Sequence, residues 1–473
     1  MPKSTLKSVL AIGTLAVSAL AIGLTTMFIG CSSNGLSMPE VLQAYIAYQS
    51  PQRSCEKGYT AYFDLSDGLL AAYQTPSTAA CLQSIVNKVT GNANCKDVFT
   101  LKNNEITKSD LRQTALYNYI LSPQSYQMVA PIEESLAQIV KKDQAALLVT
   151  DFEEYNGASI QQQNYAKPYF ISWLSRGYGI VFFVFDYQEN GKNKHLYFTV
   201  FDTPDHTLLK ETEEALKGNG ASFQTFKLNN NDVRFAVNYP AVIKGGCYHD
   251  DSGDDIISCC KEDGENDCFT LFNGLNAEFY PFEESWENIV QNIKDAHDDA
   301  SNYTPPFTHL LSGLKANFEN MSGYTIKALN IRVTDIQDDY DKFAGWYDFK
   351  TNGNNADDNG KVLPEFDYPA TGGSNIGVVQ DMFVFTGKLN GNQADISVDL
   401  RPQFSGIVAN MPMGNLLRVD VVIADCEPRY DVLPALFAWP GNNSLVEAVK
   451  NTLQDRNPIG QVIYTYYVRG EGD

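Results

Sequence analysis

The sequence predicts an α/β fold over residues 55–220, built on a doubly wound, mostly parallel sheet, followed by a β-rich, sandwich-like region over residues 221–473, as one domain or two subdomains. Two observations carry this reading. Continuous apolar runs, Ala145–Val149 and Ile180–Phe185, alternate with amphipathic helical patterns in the first region, the signature of strands covered on both faces. Beyond Gly220 the runs become strand-like almost throughout, and a chain of 473 residues is long for a single core.

The first thirty residues stand apart. Lys3 and Lys7 precede a run without charge from Ser8 to Gly30, the pattern of a secretion signal, excluded from the folded part. The run closes on Phe28-Ile29-Gly30-Cys31, which resembles a bacterial lipobox, with Phe28 in place of the usual Leu. The resemblance implies a signal peptide over 1–30 and lipidation of Cys31. Residues 31–54 are then a tether and lead-in, and the protein is lipid-anchored in the bacterial cell envelope, at the outer membrane or cell surface. The run is also long enough for an uncleaved transmembrane anchor. Both readings put the remainder outside the cytoplasm.

The elements of the α/β region follow in order. Tyr59–Phe63 is a β-prone run that ends at Asp64. Pro131–Lys142 is a helix, with Pro131 at its start, Glu133 and Glu134 in the first turn, and an apolar stripe of Ile132, Leu136, Ile139 and Val140. Ala145–Val149 is the central strand, ending at Thr150-Asp151. A helix at Lys167–Arg176 leads to strand Ile180–Phe185. Asn190-Gly191 marks a turn into strand Leu196–Phe201, and helix Thr207–Leu216 closes the unit before a linker at Gly218–Ser222. The β-rich region contributes strands at Asp232–Tyr239, Ile326–Val333, Met382–Leu389, Ala394–Leu400, Leu416–Ala424 and Gln461–Val468, a hairpin turn at Asn390-Gly391, and helices at Glu284–His297 and Ser444–Leu453.

Composition narrows the function. The formal charge of −22 argues against a nucleic-acid partner, which requires a basic surface. Besides Cys31 the chain has Cys55, Cys81, Cys95, Cys247, Cys259, Cys260, Cys268 and Cys426, an even set that reads as disulfides in an exported chain. The P-loop, the dinucleotide fingerprint, the nucleophile elbow and the His-Glu-x-x-His zinc motif are all missing. Two acidic segments are candidate Ca²⁺ loops: Asp250 to Asp267 between Cys247 and Cys268, and Asp348 to Asp367. Neither has EF-hand spacing.

The chemistry-bearing residues sit at strand ends. Asp64-Leu65-Ser66-Asp67-Gly68 follows the first strand and Thr150-Asp151-Phe152-Glu153 follows the central one, at the rim where open parallel sheets bind ligands. Over Tyr59 to Leu216 this resembles the von Willebrand factor A-like family, whose metal-ion-dependent adhesion site uses an Asp-x-Ser-x-Ser loop, a threonine in a second loop and an aspartate after the central strand. The resemblance implies Asp64, Ser66 and Asp151 as metal ligands, with Ser122 or Ser125 at the second loop and Mg²⁺ or Ca²⁺ as the ion. Gly68 replaces the second serine, and Phe152 replaces the glycine that follows the last aspartate. The structural alternative is that Asp64 or Ser66 caps the helix starting at Leu69. The expected function is binding or adhesion to an extracellular protein or glycan, without catalysis. The alternative is an extracellular metal-dependent hydrolase using the Asp64/Asp151 rim.

Overall fold

The computed structural model describes residues 37–49, 55–156, 159–160, 164–218, 220–229, 232–238, 247–249, 255–258, 269–282, 311–351, 374–375, 383–400, 416–439 and 441–470. The leader, Cys31, the predicted helix Glu284–His297 and most of both acidic segments lie outside them.

Helix α1 (Met38–Gln49) opens the described chain. The α/β region then runs β1 (Glu56–Asp64), α2 (Leu69–Gln74), α3 (Pro76–Lys88), β2 (Cys95–Lys102), β3 (Glu105–Ser109), α4 (Gln113–Ile120), α5 (Ile132–Lys142) and β4 (Gln144–Thr150). After the short hairpin of β5 (Tyr155–Asn156) and β6 (Ser159–Ile160) come α6 (Lys167–Leu174), β7 (Gly179–Glu189), β8 (Lys192–Asp202), α7 (Thr207–Lys217) and β9 (Gln224–Leu228).

One seven-stranded sheet orders these strands β3-β2-β1-β4-β8-β7-β9. Only β2, β1 and β4 run parallel; every other neighbouring pair is antiparallel. The sheet is therefore mixed rather than mostly parallel. The cause is local: Asn190 and Gly191, both at positive φ, form the two-residue turn that the sequence signals, and it returns the chain as an antiparallel hairpin instead of through a crossover. The sheet also takes its edge strand, β9, from beyond the predicted linker at Gly218–Ser222.

Side chains alternate across the sheet as strand geometry requires. Ala61, Phe63, Leu147, Val149, Phe183 and Phe198 pack beneath α2, α3, α4 and α7. Tyr62, Leu148, Phe182 and Tyr197 face the other way, under α5 and α6. On this second face the core continues into the β-rich half without a break.

That half begins with β10 (Arg234–Asn238), β11 (Cys247–His249), β12 (Asp255–Ser258), β13 (Thr270–Phe272), β14 (Ala277–Pro281), β15 (Gly313–Asn317) and β16 (Tyr324–Asp335). It continues through α8 (Gln337–Thr351), β17 (Ser374–Asn375), β18 (Phe383–Asn390), β19 (Gln393–Leu400), β20 (Leu416–Pro428), α9 (Leu433–Phe437), α10 (Ser444–Asp455) and β21 (Val462–Arg469). Four strands in the order β10-β15-β19-β18 and six in the order β13-β14-β21-β20-β16-β17 form its two principal sheets. Leu314, Ile396 and Val398 of the first share a core with Ile331, Val419, Val421 and Tyr466 of the second. This is the β-rich architecture expected.

Two elements tie the chain's ends to distant regions. Val41, Leu42, Tyr45 and Ile46 of α1 pack on α8 and on Leu416 and Tyr467 of the six-stranded sheet, so the lead-in folds onto the carboxy-terminal half. In return Phe437 of α9 packs on Phe182, Tyr197 and Phe226 of the α/β sheet, and the Tyr197 hydroxyl donates to the Leu436 carbonyl at 3.0 Å.

Among the described residues Cys55, Cys81, Cys95 and Cys426 are free thiols. Burial pushes Cys81, Cys95 and Cys426 up to about 11, which leaves them inert as nucleophiles. All eight cysteines were expected as disulfides: Cys55, Cys81, Cys95 and Cys426 are unpaired, against that expectation, and the side chains of Cys247, Cys259, Cys260 and Cys268 lie outside the described set. No helix among the described residues is long and apolar enough to cross a membrane.

Candidate functional site

Strands β1 and β4 are neighbours, with Phe63 opposite Val149, so the loops after them share one rim. Each loop folds on its own side chains. The Asp64 carboxylate accepts from the Ser66 amide at 2.8 Å and from the Thr150 hydroxyl at 2.7 Å, which joins the two strand ends. Asp151 accepts from the Glu153 amide at 3.0 Å, and the Thr150 hydroxyl accepts from the Phe152 amide at 3.0 Å. These are local turns in which a side chain substitutes for a missing ladder partner. Asp64 is not a helix cap: Gly68 holds the N-cap position of α2, with no side-chain cap bond.

The second loop is brought in as well. Gln127 bridges to Ser66, donating its amide to the Leu65 carbonyl at 3.1 Å and accepting from the Asp67 amide at 2.9 Å. Ser125, two residues earlier, is buried, and Ser122 is half-buried.

Asp64 is 0% and Asp151 2% exposed, so this rim is closed. Three residues outside the expected set close it. Lys194 of β8, 8% exposed, places its ammonium 2.8 Å from Glu153 Oε1 and 2.6 Å from Glu189 Oε2. Trp439, from the β-rich half, donates its indole N–H to the same Glu153 oxygen at 2.8 Å. Glu153 Oε2 accepts from the Tyr155 hydroxyl at 2.9 Å.

A side chain at Gly68 would put its Cβ 3.3 Å from Glu189 Oε1, a close approach to which the carboxylate would have to give way by a few tenths of an ångström. Phe152 keeps the backbone that a glycine would adopt, with φ of 58°. It is fully buried against Phe170, Phe182 and Tyr197, and that packing offsets a left-handed conformation costing about 1–2 kcal/mol.

Asp64 already accepts one hydrogen bond on each oxygen, from Thr150 and Ser66, and the Lys194 ammonium sets one positive charge against the two carboxylates of Glu153 and Glu189. Among the described residues no group of three or more His, Cys, Asp or Glu is placed to hold a metal. No family model, curated protein or solved structure matches the chain.

Electrostatics follow from burial. Desolvation raises the Asp64 carboxyl to about 6 against the downward pull of Thr150 and Ser66. Desolvation, with Glu153 and Asp64 nearby, raises Asp151 well above its ordinary value despite Lys194. Glu154, which caps α5 by accepting from the Glu133 amide at 2.7 Å, is raised by burial to about 7. For Lys194, burial pulls downward, but Asp151, Glu153 and Glu189 outweigh it and hold the ammonium charged.

These shifts set the sign of a pH dependence. An acid whose folded pKa is raised holds its proton longer in the native state, so its contribution to stability falls as pH rises from the unfolded value to the folded one. For Asp64 and Glu154 that window runs from about 4 to about 7. His206, raised by its hydrogen bond to Asp202, acts in the same direction, losing its contribution as pH rises through its folded pKa. Asp97, depressed by Lys108, acts oppositely, but only as pH falls through the acidic range. The melting temperature is therefore expected to fall as pH rises from about 5 to about 7.5. Asp151→Asn, which mimics the protonated acid, should flatten that slope in a thermal scan.

Proposed function

We propose that the chain is a lipid-anchored surface protein that binds an extracellular protein or glycan without catalysis. Its amino-terminal half is a von Willebrand A-like domain in which a fixed ammonium replaces the adhesion-site cation. The observation that carries this reading is Lys194, which sits at the joined strand ends, paired with Glu153 and Glu189. With the cation built in, the rim acts as a structural clasp, and partner recognition falls to the outer surface. The closed rim does not favour the metal-dependent hydrolase, because Asp64 and Asp151 are shielded from solvent.

Six residues separate Cys31 from Met38, roughly 20 Å of extended chain. The tether of this proposal would enter the fold at α1, which packs on the carboxy-terminal half.

Two experiments test the proposal. Cys31→Ala is expected to release the protein from the detergent-extracted membrane fraction, or to leave an unprocessed precursor, because stable anchoring needs the acyl chains. Unchanged mass and retention would remove the lipoprotein reading. Binding of the purified folded chain to glycan and extracellular-protein arrays is expected to survive both EDTA and Asp151→Asn. Binding lost in EDTA would restore a metal-dependent mechanism.

A further inference from the structure

The uncovered part of the six-stranded sheet holds a second polar site, far from the rim in sequence. Beyond the end of α1 lies a cleft of about 350 Å³, bounded by Gln49, Asn276, Arg418, Asp420, Val462 and Thr465. This falls within the size range of small-molecule pockets. Asp420 of β20 and Thr465 of β21 lie opposite each other on its floor, and Arg332 of β16 lies opposite Asp420 on the other side, outside the lining.

The charges in that row do not balance. Asp420 is 1% exposed and accepts from Arg332 Nη2 at 3.0 Å, from Arg418 Nε at 3.2 Å and from the Thr465 hydroxyl at 3.0 Å. One carboxylate thus serves two guanidinium groups and leaves one positive charge over, with Arg418 at the cleft and Arg332 beside it, in a chain of net charge −22. Arg418 spends only Nε on Asp420. Among the described residues its two terminal nitrogens have no partner, and the side chain is 14% exposed. Asp420 therefore fixes the fork while its outer donors face the cleft. A rigid guanidinium with two free parallel donors matches a planar or tetrahedral oxyanion.

We propose that this cleft binds a small organic oxyanion, a carboxylate or phosphate, held by the Arg418 fork beside Gln49 and Asn276. The inference rests on the six-stranded sheet and the end of α1 and is independent of the rim and of the lipid anchor.

Thermal-shift and calorimetric titrations of the full folded chain with succinate and with inorganic phosphate test it, against sodium chloride at matched ionic strength. A saturable response to at least one probe beyond the chloride control is expected, and which probe responds distinguishes carboxylate from phosphate. Arg418→Gln should weaken that response about tenfold or more, leaving Arg332 to balance Asp420. Val462→Trp, at the cleft's exposed edge, should block binding with every charge intact, so the test stands even if Arg418→Gln folds poorly. A response no larger than chloride's, or one that survives both substitutions, would overturn the proposal.

Discussion

Replacing Lys194 with methionine is expected to lower stability by about 3–5 kcal/mol at pH 7.5, the cost of leaving buried carboxylates without their cation. Lys194 is the ammonium between Glu153 and Glu189, and Asp151 and Asp64 add to the acidity around it. The aliphatic stem of methionine fills much of the same volume, so the loss reads charge rather than packing. It should shrink at pH 5.5, where the raised Asp151 and Asp64 carboxyls take up protons. Urea denaturation at the two pH values separates the contributions. An equal loss at both would mean that Lys194 acts through its stem alone.

Trp439→Ala is expected to cost a further large amount, about 3–5 kcal/mol, as a large buried aromatic is removed where two halves of the chain meet. Trp439 is 5% exposed, contacts Tyr197 and donates to Glu153, 286 residues away in sequence. Trp439→Phe keeps most of the packing and removes the donor, so it should cost about 1–3 kcal/mol. Combining it with Glu153→Met, which removes the acceptor, should give less than the sum of the two single effects, because both remove the same bond. Strict additivity would show that the indole N–H does not join the halves.

Much of this architecture can be read from sequence. The apolar runs at β4, β7 and β8, the dipole-matched helix α5 and the Asn190-Gly191 turn are local signals, and each lies where its pattern puts it. Other elements are harder to read. Strand β2 opens with Lys96 and Asp97, which interrupt its apolar alternation. Helix α1 carries the buried set Val41, Leu42, Tyr45 and Ile46, a helical spacing, but its place just after the leader-like run gives it the look of a tether.

The rim was legible only in part. Asp64, Ser66 and Asp151 stand out because they follow apolar strands, and the structure brings them to one edge. Lys194 carries no motif. Its position follows from hairpin register, which sets it opposite Tyr187 and diagonal to Glu189, and the two-residue turn implied that register. Trp439 has no local signal at all, since only the packing of α9 against β7 and β8 delivers it.

Calorimetric titration of Mg²⁺, Mn²⁺ and Ca²⁺ into the purified folded chain tests the central claim most directly. With Asp64 already bonded on both oxygens and Lys194 holding the charge, no saturable heat assignable to the rim is expected, and Asp151→Asn should leave the isotherms unchanged. Saturable binding in the wild type that Asp151→Asn abolishes would contradict the account and make the rim a working adhesion-type metal site.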